Sequence, residues 1–208
     1  MKIEVRDGFV FDNRSTMIEA AAKLFAERGF DATSMDTLAA AAAVSKPTLY
    51  RYFENKEALF AAALQSLLEQ LPPPEAMILK RPGTLRERLT AIAHDSLRLG
   101  TGPLMKSLHR MLSLPMESAS QRAERLWESH LQPYHDAMRR LLAAERDAGT
   151  LDVADVASAA SHFFSMIAGE PMVRLFLTGD ASMPESDAAK HVDAAVDAFL
   201  RAYRPGSA

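Results

Sequence analysis

The sequence contains no cysteine, no long apolar run and no excess of positive charge, and each absence excludes a class of protein. Without cysteine, disulfide bonds and thiolate metal ligands are excluded. No apolar run approaches the ~20 residues that a membrane-spanning helix needs. The N-terminal stretch also lacks the apolar core of a signal peptide. We therefore expect a cytoplasmic protein with no membrane partner.

Composition indicates a globular chain in which any site for a polyanion is local. Hydrophobic residues make up 48% and charged residues 25% of the sequence, which is typical of soluble globular proteins. The formal net charge is −3. No general positive field therefore attracts nucleic acid, and a DNA site would have to be a small surface patch.

Apolar residues recur with the helical period almost throughout, and no stretch alternates with period two. The predicted fold class is therefore all-α, with the main boundary near residue 72, where three prolines follow one another. The predicted N-terminal helices cover about 14–28, 34–42, 45–53 and 55–71. The later helices cover about 84–99, 103–114, 118–146, 153–168 and 185–203. The helix 118–146 is predicted to bend at Pro133. The helix 153–168 is predicted to break at Gly169–Pro171 and to resume towards Leu177.

The stretch 45–59, SKPTLYRYFENKEAL, places aromatic and basic side chains on a short helix. Two short helices joined by a turn at Ala43 and Val44 form a helix-turn-helix, whose second helix can lie in a DNA major groove. Leu49 and Phe53 are predicted to face inward. The opposite side then presents Lys46, Thr48, Tyr50 and Arg51.

These exposed side chains have the chemistry of a DNA contact. Lys46 can donate to guanine acceptors, and Thr48 can offer a hydroxyl or a methyl group to a base edge. Tyrosine hydroxyls donate well to phosphate. Helix N-termini at Ser34 and Asn55, with Lys56 beside the second, add anion-binding capacity. On these residues alone, a solvated polar face or one continuous helix through the alanine run 39–43 remains an alternative.

The segments IEAAAKLFAERGFDAT (18–33) and ATSMDTLAAAAAVSKPTLYRYFENKEALFAAAL (32–64) resemble the DNA-binding domain of the TetR family of bacterial transcription regulators. The resemblance covers about the first 70 residues and implies a three-helix helix-turn-helix DNA-binding domain at 11–71. Lys46, Pro47 and Thr48 match positions that commonly approach bases. The full set of implied DNA-binding residues is Thr33, Ser34, Ser45, Lys46, Pro47, Thr48, Tyr50, Arg51, Tyr52 and Lys56.

Two positions depart from the family pattern. Ala43 stands where the family most often has glycine, so the turn either avoids left-handed geometry or bears a cost on the order of 1–2 kcal/mol. Asp36 stands where some members read guanine with arginine, so that contact is not expected here.

The second part, 72–208, is expected to be a larger helical domain for effector binding and dimerisation. LHRMLSL (108–114), the helix around Trp127 and HFFSMIAGEPMVRLFLTG (162–179) resemble the AefR-like subgroup, whose members commonly regulate multidrug efflux or detoxification genes. Methionines and aromatics suit an adaptable apolar pocket, although the same side chains also fill cores. The candidate effector pocket comprises Met105, His109, Met111, Trp127, His130, Tyr134, Met138, Phe163 and Met166.

The last two helices are rich in alanine and have broad apolar faces, which indicates burial on more than one side. The resemblance implies a homodimer built by two such helices, whereas one monomeric core is the alternative. The predicted interface consists of Val156, Ala160, Phe163, Ile167, Val192, Ala195, Val196, Phe199 and Tyr203.

No sequence motif supports catalysis. Glu-x-x-His pairs, His-Glu-x-x-His, a glycine-rich phosphate loop and Gly-x-Ser-x-Gly are all absent. We therefore expect no metal, no cofactor and no enzyme. The leading hypothesis is a homodimeric repressor that binds a palindromic double-stranded DNA operator and is released by a small, largely apolar effector. An all-α small-molecule-binding protein with a vestigial helix-turn-helix is the main alternative, and a helical enzyme is the third.

Overall fold

The structure, a computed structural model, describes residues 5–6, 9–10, 13–112, 124, 126–180 and 183–206. The described residues form two compact units. The first unit contains the residues up to Leu71 together with 107–112, and the second contains 72–106 and the described residues from 124 onward. The predicted functional division at residue 72 stays a prediction.

Helices account for nearly all of the regular structure, so the predicted all-α fold class is confirmed. A two-residue antiparallel pair of strands, β1 (Val5–Arg6) and β2 (Phe9–Val10), precedes them and was not predicted. None of the described helices is long and apolar enough to cross a bilayer. Within the described ranges, no group of three or more His, Asp or Glu side chains is placed to hold a metal ion.

The first unit contains four helices at its N-terminal end: α1 (Asn13–Arg28), α2 (Met35–Ala41), α3 (Lys46–Tyr52) and α4 (Lys56–Leu68). Gly29 ends α1 with a positive φ of 84°, as its position in the sequence predicts. Polar caps begin the other three helices, because the side chains of Ser34, Ser45 and Asn55 each accept a hydrogen bond from a first-turn amide. Helix α4 ends three residues before the predicted Leu71.

Three phenylalanines form the centre of this helical cluster. Phe25 of α1, Phe60 of α4 and Phe30 of the loop after α1 are all buried, with ring centroids 5.1 to 5.8 Å apart. Helix α1 packs on both α4 and α2, and α3 packs on α2. Leu49 is fully buried and therefore anchors α3 to this core.

The second part of the chain adds α5 (Leu85–Thr101), α6 (Pro103–Leu112), α7 (Gln132–Asp147), α8 (Val156–Thr178) and α9 (Glu185–Ala202). Two five-residue π-helical turns, Glu75–Leu79 and Trp127–Leu131, were not predicted. Pro133 lies in the first turn of α7, which follows the π-helical turn Trp127–Leu131 directly, and Leu131 itself has right-handed helical backbone angles. The helical backbone therefore continues through Pro133, and the predicted bend there stays a prediction. The predicted end of the helix 103–114, at Leu114, and the predicted start of the helix 118–146, at Ser118, lie outside the described residues.

The predicted break at Gly169–Pro171 is wrong, because α8 is continuous from Val156 to Thr178. Pro171 has no N–H to donate to the carbonyl oxygen four residues earlier, at Ile167. His191 of α9 supplies the replacement: its Nε2 donates to the Ile167 oxygen over 2.9 Å. A side chain from the neighbouring helix thus satisfies the carbonyl that the proline leaves without its usual partner.

The interior of the second unit contains most of the residues predicted for a dimer interface. Helix α8 packs on α5, α7 and α9, and α9 packs on α5 as well. The predicted apolar faces of α8 and α9 are therefore used within one chain, and Phe163 and Phe199 meet there at 5.3 Å. The buried members of the predicted set are core residues: Ala160, Phe163, Ile167, Val192, Ala195, Val196 and Phe199. Val156 and Tyr203 are half-buried. Participation of α8 and α9 in a dimer stays a prediction.

Candidate DNA-binding surface and ligand pocket

The turn before α3 is a tight C-terminal cap made without glycine. The Val44 amide donates to the Ala39 oxygen over 3.0 Å, and the Ala43 amide donates to the Ala40 oxygen over 3.1 Å. This paired pattern is a Schellman motif, which needs a left-handed residue at the position of Ala43. Ala43 accordingly has a φ of 54°. The alanine run therefore does not form one continuous helix, and the turn bears a strain of roughly 1–2 kcal/mol.

Helix α3 presents the predicted side chains outward. Its N-cap, Ser45, accepts from the Thr48 amide over 3.2 Å, and Pro47 lies in the first turn. Thr48 is half-buried, and its hydroxyl lies 2.8 Å from the Ser45 hydroxyl. The exposed side chains define what we term the recognition face, which consists of Lys46, Pro47, Tyr50 and Arg51.

An acidic residue from α2 shares this surface. The ammonium nitrogen of Lys46 lies 2.9 Å from the Asp36 carboxylate, and both side chains are exposed. The hydrogen bond to Asp36 raises the pKa of Lys46 above its ordinary value, so this lysine stays charged. Asp36 thus offsets one of the two cationic charges of the recognition face. The sequence identified Asp36 as a departure from the family pattern but did not reveal this ion pair.

Two predicted phosphate contacts have other partners in the structure. Thr33 is only 1% exposed, and its hydroxyl donates to the Gly29 oxygen over 2.6 Å. Its side chain stabilises the loop after α1, and a contact of Thr33 with DNA stays a prediction. The Lys56 ammonium donates to the Phe30 oxygen over 2.8 Å and lies 4.1 Å from the centre of the Phe30 ring. A further contact of Lys56 with phosphate stays a prediction.

The remaining predicted contacts lie around the same short helices. Ser34 is exposed, and its hydroxyl accepts from the Thr37 amide over 3.1 Å. Tyr52 is half-buried, with the Arg51 guanidinium 5.4 Å from its ring centre. The structure therefore brings the polar and basic residues of α3 together on one surface, with the capped N-termini of α2, α3 and α4 in the same unit.

A cavity of about 370 Å³ lies among α5, α7, α8 and the second π-helical turn of the second unit. Of the nine predicted pocket residues, Met105, Trp127 and Tyr134 line this cavity. Met138 and Phe163 are buried core residues, and Met166 is 37% exposed. His130 bonds to the Ser129 hydroxyl, whereas His109 and Met111 belong to the first unit. These six residues do not line this cavity, and a role for them in effector binding stays a prediction.

Several lining residues were missed because they come from elements that are distant in the sequence. They are Met77, Ser96, Leu99, Gly100, Leu131, His135, Phe164, Ile167, Ala168 and Met172. Two other cavities in this unit, of about 410 and 520 Å³, include Asp95 and Arg98, which already form an ion pair with one another. The cavity of about 370 Å³, termed the apolar cavity below, has no ionised side chain among its described lining residues.

Burial keeps the titratable groups of the apolar cavity neutral. It raises the pKa of Tyr134 to about 12, and the Tyr134 hydroxyl donates to the Pro72 oxygen. Burial also lowers the pKa of His135, and the positive charge of Arg139 adds to this effect while Asp136 opposes it. At neutral pH both rings are therefore uncharged polar groups.

The turn, the short exposed helix and the all-α scaffold define a helix-turn-helix protein, and sequence comparison gives its family. Residues 17–63 match the family model described as bacterial regulatory proteins, tetR family. Residues 87–205 match the C-terminal domain of the AefR-like transcriptional repressor. The chain therefore belongs to the TetR family and is a transcriptional regulator, not an enzyme.

Individual relatives agree with this assignment. A solved TetR-family regulator from Mesorhizobium loti superposes with a TM-score of 0.79 at 25% identity, covering 97% of this chain and all of that one. The Flavonoid-responsive Regulator FrrA gives a TM-score of 0.69 at 32% identity, covering 94% and 98%. The transcriptional activator FasR of Mycolicibacterium smegmatis is 36% identical over 93 residues. That match spans 41% of this chain and only 42% of FasR.

Proposed function

We propose that this regulator is a homodimeric repressor that binds a palindromic DNA operator and is released by a small, largely apolar effector. The recognition face carries the proposal. Leu49 fixes α3 to the core, while Lys46, Tyr50 and Arg51 remain exposed for base and phosphate contacts. The protein would act in the cytoplasm, where it meets the chromosome.

Repression is supported by the second part of the chain. The family model that matches 87–205 is described as that of a repressor. FrrA, which is similar over 94% of this chain, is described as responsive to flavonoids. We extend to this chain only the idea of release by a small molecule. Efflux or detoxification genes are the proposed targets.

An exposed apolar strip on α8 supports dimerisation. Val173, Phe176 and Leu177 are 56%, 66% and 74% exposed. They lie on one side of the helix, because residues three and four apart are neighbours. A contiguous exposed apolar surface of this kind is typical of a protein interface. We propose that a second copy covers this strip through its own α8 and α9.

A population shift would couple effector to operator. Two recognition helices must be about 34–36 Å apart to enter successive major grooves of one DNA face. An effector that binds better to a dimer with a different spacing would lower operator affinity. A coupling of ~1–3 kcal/mol corresponds to a roughly 5- to 150-fold loss.

Selection of bound DNA fragments from the source genome would test the proposal. We expect the full chain to enrich a palindromic sequence and to retard it in a gel. Arg51→Ala should weaken this binding, whereas Arg204→Ala, which removes an equal charge from the second unit, should not. Absence of any enriched sequence would instead support the small-molecule-binding protein with a vestigial helix-turn-helix. A reporter gene under the enriched promoter then distinguishes repression from activation.

A further inference from the structure

The apolar cavity is bounded on one side by three aromatic rings. The His135 ring lies between Trp127, at 5.2 Å, and Phe164, at 4.8 Å, measured between ring centres. All three side chains line the cavity, and we term them the aromatic wall. Aromatic rings attract other flat rings in offset or edge-on arrangements at such separations. A planar ligand is therefore favoured over a bulky aliphatic one of similar hydrophobicity.

Charge excludes an ionised ligand. The described lining residues of the cavity include no Lys, Arg, Asp or Glu. An ionised group that leaves water for such a site loses its hydration and gains no partner of opposite charge. The ligand that this cavity binds must therefore be uncharged where it is enclosed.

Ser96 provides a polar anchor at this cavity. Its Oγ is buried and makes no hydrogen bond within the part of the chain that the structure describes. Serine hydroxyls in helices commonly bond to a main-chain oxygen of the preceding turn, but this one does not. A buried hydroxyl without a partner is rare and unfavourable unless another molecule supplies the bond. Ser96 also lines the apolar cavity, so rotation about its Cα–Cβ bond can bring the hydroxyl to a ligand held there.

His135 provides a second polar position. No hydrogen bond to its ring nitrogens comes from the part of the chain that the structure describes. A neutral imidazole has one donor nitrogen and one acceptor nitrogen. It can therefore exchange a hydrogen bond with a hydroxyl or carbonyl group without attracting a counter-ion.

From this arrangement we propose that the effector is an uncharged aromatic compound with a hydroxyl or carbonyl oxygen. Its ring lies along the aromatic wall, and its oxygen bonds to Ser96. This inference rests on the proposed function only in treating the ligand as the effector. The cavity, the ring contacts and the unpartnered hydroxyl define the chemical class by themselves.

Four probes of similar length separate the contributions of ring, oxygen and charge. They are 4-phenylphenol, biphenyl, 4-phenylbenzoate and 4-cyclohexylcyclohexanol. Each is titrated into the purified chain of 208 residues by calorimetry at pH 7.5. We expect 4-phenylphenol to bind most tightly. Biphenyl lacks the oxygen, the benzoate is ionised and the cyclohexyl compound lacks the flat rings, so each should bind more weakly.

Substitution of Ser96 tests the anchor. Ser96→Ala should lower the affinity for 4-phenylphenol about 3- to 10-fold, which is the effect of one hydrogen bond. The affinity for biphenyl should stay within about twofold, because biphenyl makes no such bond. Ser161→Ala, an exposed serine of α8, should change neither affinity. His135→Phe keeps a ring in the wall and should weaken 4-phenylphenol selectively in the same way.

The inference is overturned if 4-phenylbenzoate binds most tightly, if none of the four probes binds, or if Ser96→Ala weakens biphenyl and 4-phenylphenol equally. Operator binding, measured in parallel by gel shift, is a separate readout. Selective 4-phenylphenol binding by a chain that binds no DNA would refute the proposed function and leave the ligand class standing. Operator binding by a chain that binds none of the probes would refute the ligand class and leave the proposed function standing.

Discussion

The two proposed sites are built in opposite ways. The recognition face is an outer surface whose side chains all come from α3, which is capped by Ser45, and Asp36 at the start of α2 lies beside it. The apolar cavity is an interior site, assembled from α5, α7, α8 and a π-helical turn. The first depends on local hydrogen bonds and exposed charge, and the second depends on packing between distant segments. Changes of charge at the recognition face should therefore alter DNA binding, and changes to the lining of the cavity should alter ligand binding.

The largest expected effect tests whether the recognition face acts in pairs. Leu177→Glu places a charge in the exposed apolar strip of α8 and should dissociate the dimer without unfolding the chain. Loss of the second half-site should lower operator affinity about 100-fold or more. Light scattering, circular dichroism and gel shift measure the three quantities. The control is Thr150→Glu, at an exposed loop position. A dimer with normal operator binding would show that this strip is not the interface.

Base readout should give the next largest effect. Lys46→Ala and Thr48→Ala should each cost ~1–3 kcal/mol at one or two operator positions, beyond any change in non-specific affinity. Selection of binding sites with each variant measures the change in consensus. Lys190→Ala, an equal change of charge in the second unit, should leave the consensus unaltered. An identical consensus in both α3 variants would place base readout on other residues.

Asp36 should weaken DNA binding in general. It offsets the charge of Lys46 and would repel phosphate, so Asp36→Asn should raise affinity for all DNA sequences about 2- to 10-fold and steepen the salt dependence by up to ~1 unit. Fluorescence anisotropy with labelled DNA at several salt concentrations checks both expectations. Asp147→Asn gives the same change in net charge in the second unit. If Asp36→Asn binds no more tightly than Asp147→Asn, the ion pair has no role in DNA affinity.

Ala43 tests how strained the helix-turn-helix is. Ala43→Gly removes the left-handed strain but adds flexibility to the unfolded chain, so a net stabilisation of about 0.5–1 kcal/mol is expected. Urea denaturation followed by circular dichroism measures it. Ala40→Gly, at an exposed position inside α2, should instead destabilise by roughly 0.5–1 kcal/mol. Destabilisation by both substitutions would contradict the left-handed turn.

The smallest effect concerns pH and the cavity. The pKa of His135 is lowered in the folded chain, so the unfolded chain binds the proton more readily. The free energy of unfolding should therefore fall as the pH drops from about 6.5 towards the folded pKa. His135→Phe should flatten this dependence between pH 7.5 and 5.5, whereas His94→Gln, at an exposed position, should not. Parallel curves of unfolding free energy against pH for wild type and His135→Phe would show that His135 does not contribute to the pH dependence.

The sequence predicted the features that local chemistry determines. The caps at Ser45 and Asn55 and the glycine that ends α1 follow from nearby residues alone, and the structure has them. The break at Pro171 was predicted wrongly because the donor that replaces its missing N–H, His191, is 20 residues away in another helix. Local propensity contains no information about such a partner.

The lining of the cavity, and the division of apolar residues between the core and any dimer face, could not be predicted for a similar reason. An apolar helix face shows that a partner exists but not whether that partner is in the same chain. Helices α8 and α9 bury their broad faces against one another and α5. Ser96 and His135 are ordinary polar residues in amphipathic helices, and only packing reveals that both line an apolar cavity.

The position of Trp127 has a spectroscopic consequence. It is the only tryptophan in the chain, and it belongs to the aromatic wall beside His135. Emission excited at the red edge of the indole band therefore comes from the second unit alone. Its intensity and wavelength will report cavity occupancy and local solvation, while the first unit, whose aromatics are phenylalanine and tyrosine, contributes no signal. Unfolding followed by this emission and by helical circular dichroism will thus separate the cavity from the chain as a whole.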